Sequence, residues 1–400
     1  MLKISDPQEP QNIPALFQLG FRPFFLFGTL FSIISVLLWV MVISGFVMFY
    51  PYGGSLWWHG HEMIFGFVAA IIVGFLLTAV QNWTGIPSVK GLPLVSLFSI
   101  WFAARVMLAI NYDSLFTAII DVIFLPLAAL YLAIPIIKIK QYRNLIFIPA
   151  LLLLTITNIM THLNVHYPDY NGFQSGVYGA VIIIMLLMTI IGGRVIPFFT
   201  ANSTGMLKVE AIRWLEFVAI GTGFILALIF IFGVNKYTNL QPYVAALCYL
   251  VGITHTARWY RWRFWTTLKI PLLWSLHVSY LMIPISCFLF GLHFSHGSVS
   301  IQSVLHLLTI GAIGMMIIAM ISRVSLGHTG RQLKPHWLMT YAFIAIICAA
   351  IVRFSGSVFL HDYLPEALLI TGLLWALGYG LFFMIYFNIL TSPRVDGRPG

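Results

Sequence analysis

The chain has 400 residues, of which 60% are hydrophobic and only 8% charged, and its mean hydropathy is +0.96. An average soluble domain is about one-quarter charged, so a soluble enzyme or binding domain is excluded and a polytopic membrane protein is indicated. The formal net charge of +10 is explained by where the cations fall, which speaks for membrane topology and against a nucleic-acid partner.

Residues 1–23 read as a short polar N-terminal segment with Lys3, Asp6 and Glu9. No small-residue cleavage site follows it, so it is not a signal peptide. A spanning helix needs roughly 20 mostly apolar residues. Twelve such runs follow, at about 24–48, 58–81, 92–110, 114–137, 144–166, 173–200, 213–234, 241–260, 270–293, 299–323, 337–358 and 366–390. The expected fold is an all-α membrane bundle forming one domain over 1–400, without internal repeats. The three cysteines all fall in apolar runs, which argues against a disulfide framework or a cysteine-based zinc site.

Lys and Arg set the orientation. Sixteen of the 21 cations lie on one set of alternate connections, and only Lys236 lies on the other. Both termini are therefore expected in the cytoplasm. Arg105, Arg194, Arg323 and Arg353 fall within or at the ends of helices.

In chain order, the second run opens with Trp57-Trp58-His59-Gly60-His61-Glu62-Met63. Two imidazoles and a carboxylate there would be costly in hydrocarbon, so a functional role is the default, and imidazole is the commonest side-chain metal ligand. His59 and Glu62 are three apart and share a helix face, so Glu62 is placed to orient His59 or to carry protons. His61 points about 200° from His59. The alternative is a polar belt at headgroup level beside two tryptophans. Arg105 and Asp121 lie at similar depth on neighbouring helices, as a buried ion pair or with Arg105 free to neutralise an anionic cofactor. His162 and His166 have chelating i,i+4 spacing, unless His166 is simply solvated. Arg194 follows Gly192-Gly193 and precedes Pro197, a pattern suggesting a broken helix end suited to gating or anion contact. His277 lies between Trp274 and Tyr280 and is a secondary candidate. His306, about seven residues into the tenth run, is the best single ligand candidate, a packing histidine being the alternative. His328 and Arg331 lie in a glycine-bearing loop able to cradle an anion. Arg353 pairs with Glu366 or binds an anionic group. Met185 with Met188, and Met315-Met316 with Met320, offer soft thioethers, although Met is also common core filler.

Several stretches together resemble the NnrS family of bacterial membrane proteins. They are Gly20-Phe21-Arg22-Pro23-Phe24-Phe25, Trp58-His59-Gly60-His61-Glu62-Met63, Gly74-Phe75-Leu76-Leu77-Thr78-Ala79 and Asn82-Trp83-Thr84-Gly85. Further on come Gly192-Gly193-Arg194-Val195-Ile196-Pro197-Phe198-Phe199-Thr200-Ala201-Asn202, Pro271-Leu272-Leu273-Trp274 and Arg323-Val324-Ser325-Leu326-Gly327-His328-Thr329-Gly330-Arg331. The resemblance covers essentially the whole chain. It implies about twelve spans in a bacterial inner membrane, haem and copper as cofactors, and a role in nitric oxide metabolism or nitrosative stress. A looser, fold-level analogy links the histidines of helices 2 and 10 to the haem ligands of haem–copper oxidases. On that basis haem is expected at His61 and His306, with Arg105 and Arg353 toward its propionates and copper nearby at His59 and His162. Glu62 would supply protons, and electrons would come from quinol or a redox partner protein. A proton-coupled transporter exporting a small molecule or metal–nitrosyl species is the competing reading, with Glu62 and the histidines as proton relays.

Overall fold

The apolar runs separated by short polar connections form helices in the computed structural model, which describes residues 13–112, 115–167, 170 and 172–397. Lys3, Asp6 and Glu9 of the polar N-terminal segment lie outside the described residues. Twelve long helices are described: α1 (Phe21–Ile43), α2 (Ser55–Thr84), α3 (Leu92–Ala109), α4 (Leu115–Lys138), α5 (Phe147–His166), α6 (Gly172–Thr204), α7 (Arg213–Ile231), α8 (Gln241–Arg261), α9 (Pro271–His296), α10 (Ile301–His328), α11 (Leu338–Val358) and α12 (Leu364–Thr391). They match the expected runs within a few residues. Eleven are long and apolar enough to cross a membrane. The exception is α8, whose apolar stretch ends in Thr254-His255-Thr256-Ala257-Arg258.

Two helices are not regular throughout. Glu62–Val68 in α2 and Leu307–Gly314 in α10 wind as π-helix, a geometry that often marks functional sites. Each begins on the residue after a histidine, His61 or His306. The spacing from there is shared: a glycine five residues on (Gly66, Gly311), then Thr84-Gly85 and Thr329-Gly330 at the same offset. Both terminal glycines have positive φ, 71° and 75°, the left-handed cap for which glycine is the natural residue. A repeated pattern, His-x4-Gly-x17-Thr-Gly, is therefore present where none was expected. The rest of the two helices differs in sequence, which hides it.

The helices pack as two units. The first comprises Met1–Val177, Ile321–His336 and Tyr379–Gly400. In it α1 packs on α2, α2 and α3 on α4, and α4 on α5. Small residues make the α1–α2 seam close. A Cβ on Gly74 would stand 2.8 Å from Phe24 Cβ, so only glycine lets the helices approach this far. Thr78 Oγ1 accepts the Phe21 amide at 2.9 Å and donates to Gly74 O at 2.7 Å. Arg22, fully buried, donates from Nη1 to the carbonyls of Leu390 and Ser392 at 2.9 and 2.7 Å. It thus ties the first helix to the end of the last.

The second unit comprises Tyr178–Met320 and Trp337–Gly378. Here α8 and α9 form the most extensive pair, with α7 on α8, α9 on α10 and α10 on α11. The helix break expected at Gly192-Gly193 is absent: α6 runs unbroken through both glycines and Pro197. The glycines serve close packing instead. A Cβ on Gly192 would stand 3.3 Å from the Tyr280 ring, and one on Gly193 would overlap the Arg258 guanidinium.

Candidate metal centre

The first unit gathers polar side chains from α2, α3, α4 and α5 in its interior. Arg105, Asp121 and His162 are buried, and His61 and Glu62 are fully so. His61 Nδ1 lies 2.9 Å from Glu62 Oε1, while its Nε2 faces Asn158 Oδ1 at 2.8 Å and Asp121 Oδ2 at 3.2 Å. His162 Nε2 reaches the same Asp121 Oδ2 at 3.1 Å. Asn158 Nδ2 donates to that oxygen at 2.7 Å. Arg105 Nη2 pairs with Asp121 Oδ1, and its Nη1 lies 3.0 Å from Glu62 Oε1. The ion pair expected between Arg105 and Asp121 is thus formed and extended to a second carboxylate.

Gly66, within the π-helical turn, makes this cluster possible. A Cβ on Gly66 would stand 2.5 Å from Arg105 Nη1, so the guanidinium lies against bare backbone. The Gly66 carbonyl accepts the Trp101 indole N–H at 2.8 Å. Glu62, expected to orient His59, has its Oε1 at His61 Nδ1 and Arg105 Nη1. His59 is half-buried and stacks on Trp39 of α1, with centroids 4.5 Å apart and planes 10° apart. The 200° between the two histidines sends them to different neighbours.

Trp57 and Trp58 are buried in the protein. Trp57 stacks on His61 and donates its indole N–H to Thr161 O at 3.0 Å. It also lines a cleft of about 370 Å³ with Gly53, Leu56, Asn164, Val165 and Phe173. Tyr52, a residue without a motif to flag it, has its hydroxyl 3.3 Å from His162 Nδ1 and 3.0 Å from His166 Nε2. His166 is exposed, so a line of hydrogen bonds runs from the end of α5 to Asp121.

Charge counting defines what this site accepts. Two carboxylates face one guanidinium, so with neutral histidines the cluster carries one excess negative charge in a dry interior, where unpaired charge is costly. One more positive charge balances it, either a proton on His61, whose two nitrogens both face oxygens, or a metal cation. Glu62 Oε2 is buried without a hydrogen-bond partner. Among the described residues, His61, Asp121 and His162 form a group whose ligand atoms all lie within 4.8 Å of one another. Two imidazoles and a carboxylate suit a transition-metal ion such as copper. A haem does not fit at His61 in this arrangement, because both ring nitrogens face protein groups and Trp57 covers one face.

The other candidates sit elsewhere. In the second unit, His306 is half-buried and its Nδ1 donates to the Gln302 carbonyl at 2.8 Å. That fixes the tautomer and leaves Nε2 as the free acceptor, the disposition of a ligating histidine. Arg353 has Nη1 buried without a hydrogen-bond partner, and the ion pair expected with Glu366, which is exposed, is not among those of the described residues. His277 Nε2 lies 3.0 Å from Thr200 Oγ1. Sequence reasoning passed over a second buried cluster there. Arg258 pairs with Glu216 at 2.7 Å and with the Tyr280 hydroxyl, which lies 2.8 Å from His255 Nδ1. Arg194 and Arg331 are half-buried. In the first unit the loop after α10 is closed by the chain's own tail. Arg394 donates to the His328 carbonyl at 2.9 Å and pairs with Asp396, and that carboxylate lies over Gly330. The cradle expected at His328 and Arg331 thus already faces an internal anion.

A family profile described as NnrS protein matches residues 15–394 of the chain. No match was found among curated proteins.

Proposed function

Since the chain belongs to the NnrS family, we propose that it is a copper- and haem-containing protein of the bacterial inner membrane that handles nitric oxide, with both termini cytoplasmic. The observation that carries this reading is the convergence of His61, Asp121 and His162 on one buried point. His61 and His162 would hold copper through Nε2 and Asp121 through Oδ2. His306, with Nε2 open, would hold haem, and Arg353, in the same unit, would meet a propionate. The shared His-x4-Gly-x17-Thr-Gly pattern supports reading His61 and His306 as equivalent metal-bearing positions.

When bound, copper and haem iron supply reducible centres that take nitric oxide. The chain's own residues do the rest. Glu62 fixes the tautomer of His61 through Nδ1, Trp57 keeps water off the ring, and Tyr52 links His162 to the exposed His166. Glu62 is the candidate proton donor for turnover. No broken helix supports the transporter alternative at Gly192-Gly193, where α6 is continuous.

The test is an optical spectrum of detergent-purified protein, reduced and then exposed to nitric oxide, with metal analysis on the same sample. A Soret band that shifts on adding the gas, lost in His306→Ala, together with one copper equivalent lost in His162→Ala, is the expected result. Protein without haem or copper after replete expression would overturn the reading.

A further inference from the structure

The α8–α9 seam of the second unit carries a feature that the histidine chemistry does not use. Cys248, Cys287 and Met185 are all fully buried. Cys287 Sγ lies 3.9 Å from Met185 Sδ. Cys248 comes to the same seam from α8. The register of the seam explains this. His255 of α8 meets Tyr280 of α9, and Cys248 and Cys287 lie seven residues before and seven after those positions. Seven residues are nearly two turns, so on antiparallel neighbours the two cysteines face each other across the same seam. Met185 comes in from α6.

Two sulfur ligands about 2.3 Å from one trigonal ion stand about 4.0 Å apart, close to the spacing seen. Thiolate and thioether donors select Cu(I) over harder ions. We propose that Cys287, Met185 and Cys248 form a sulfur-lined Cu(I) site in the second unit, separate from the nitrogen–oxygen centre at His61. Binding replaces the Cys287 thiol proton, which leaves to water. Cu(I) and one thiolate sum to zero charge, and the Met185 thioether and Cys248 thiol add none. A neutral complex is what a site at this depth tolerates. No oxidant or reductant is consumed.

The experiment loads full-length, reduced protein anaerobically with Cu(I) as its acetonitrile complex, desalts it, and reads copper stoichiometry and the copper-edge X-ray absorption spectrum. Wild type is expected to show a sulfur shell near about 2.3 Å. Cys287→Ser should lose that shell and one copper equivalent. Met185→Leu, a volume-conserving change of the kind cores tolerate, should weaken the sulfur shell while keeping the fold. Cys348→Ser, which alters the third cysteine, should change nothing. A His61→Ala/His162→Ala variant should lose nitrogen ligation and keep the sulfur shell, so failure of either site is distinguishable from failure of the other. Copper bound with nitrogen and oxygen alone in wild type, or a sulfur shell that survives Cys287→Ser, would overturn the proposal and leave the contact as packing.

Discussion

Trp57 lies flat on His61, with ring centroids 4.3 Å apart and planes 11° apart. Trp57 also lines the cleft, so the ring that covers His61 is itself reached from that cleft. Trp57→Ala should therefore speed copper extraction by a chelator by tenfold or more, about 1.4 kcal/mol off the exchange barrier, with stoichiometry kept. Trp57→Phe, which retains an aromatic cover but loses the bond to Thr161 O, should fall between. Equal extraction rates in all three proteins would remove the gating role.

Metal and proton compete for the same excess charge at His61. Copper retention should fall as pH is lowered, because binding displaces a proton and ligation needs the neutral ring. Asp121→Asn removes the shared anion and should weaken copper binding most at every pH. It also leaves Arg105 with one carboxylate, so a stability loss of about 3–5 kcal/mol is expected from breaking a buried pair. Copper titrations across pH, with thermal unfolding in detergent, check both.

The glycine pair in α6 offers a sharp contrast. Gly193→Ala places a methyl into the Arg258 guanidinium and should break its pairing with Glu216, costing about 3–5 kcal/mol. Gly192→Ala meets the Tyr280 ring at 3.3 Å and the flexible tip of Ile196 at 3.4 Å and should cost about 1 kcal/mol. Unfolding midpoints of the two variants decide. Similar, small losses with altered transport would instead revive a hinge at this point.

Arg22→Lys keeps the charge but cannot hold the carbonyls of Leu390 and Ser392 in the same forked geometry. A loss of about 1.5–3 kcal/mol is expected for hydrogen bonds made by a charged group. The C-terminal tail should become more susceptible to carboxypeptidase; unchanged digestion would show that the tail is held by other contacts.

Most of the helix layout was legible because hydropathy reports each span directly. His61, Glu62, Arg105 and His162 could be selected because ionisable groups are rare at such depth. Asp121 was legible as the partner of Arg105, but not as the atom on which two histidines converge. Asn158 stood four residues before His162 on the same face, a signal that spacing offers and that charge-based selection passes over. Tyr52 precedes its helix and carries no pattern. The π-helical turns were not legible, since they depend on tertiary packing around Gly66 and Gly311. The sulfur contact was hidden for the same reason: Met185, Cys248 and Cys287 come from three helices, and only the seam register brings them together.

The hold of Arg22 on Leu390 and Ser392 also has a consequence for biosynthesis. The donor leaves the ribosome some 370 residues before its last acceptor. At roughly 5–20 residues per second, α1 sits in the bilayer for about 20–70 s before the contact can form. During that interval a buried guanidinium must be sheltered by lipid headgroups, water or the insertion machinery. Emergence of the last helix, rather than insertion of the first span, is then the event that allows the first unit to be completed.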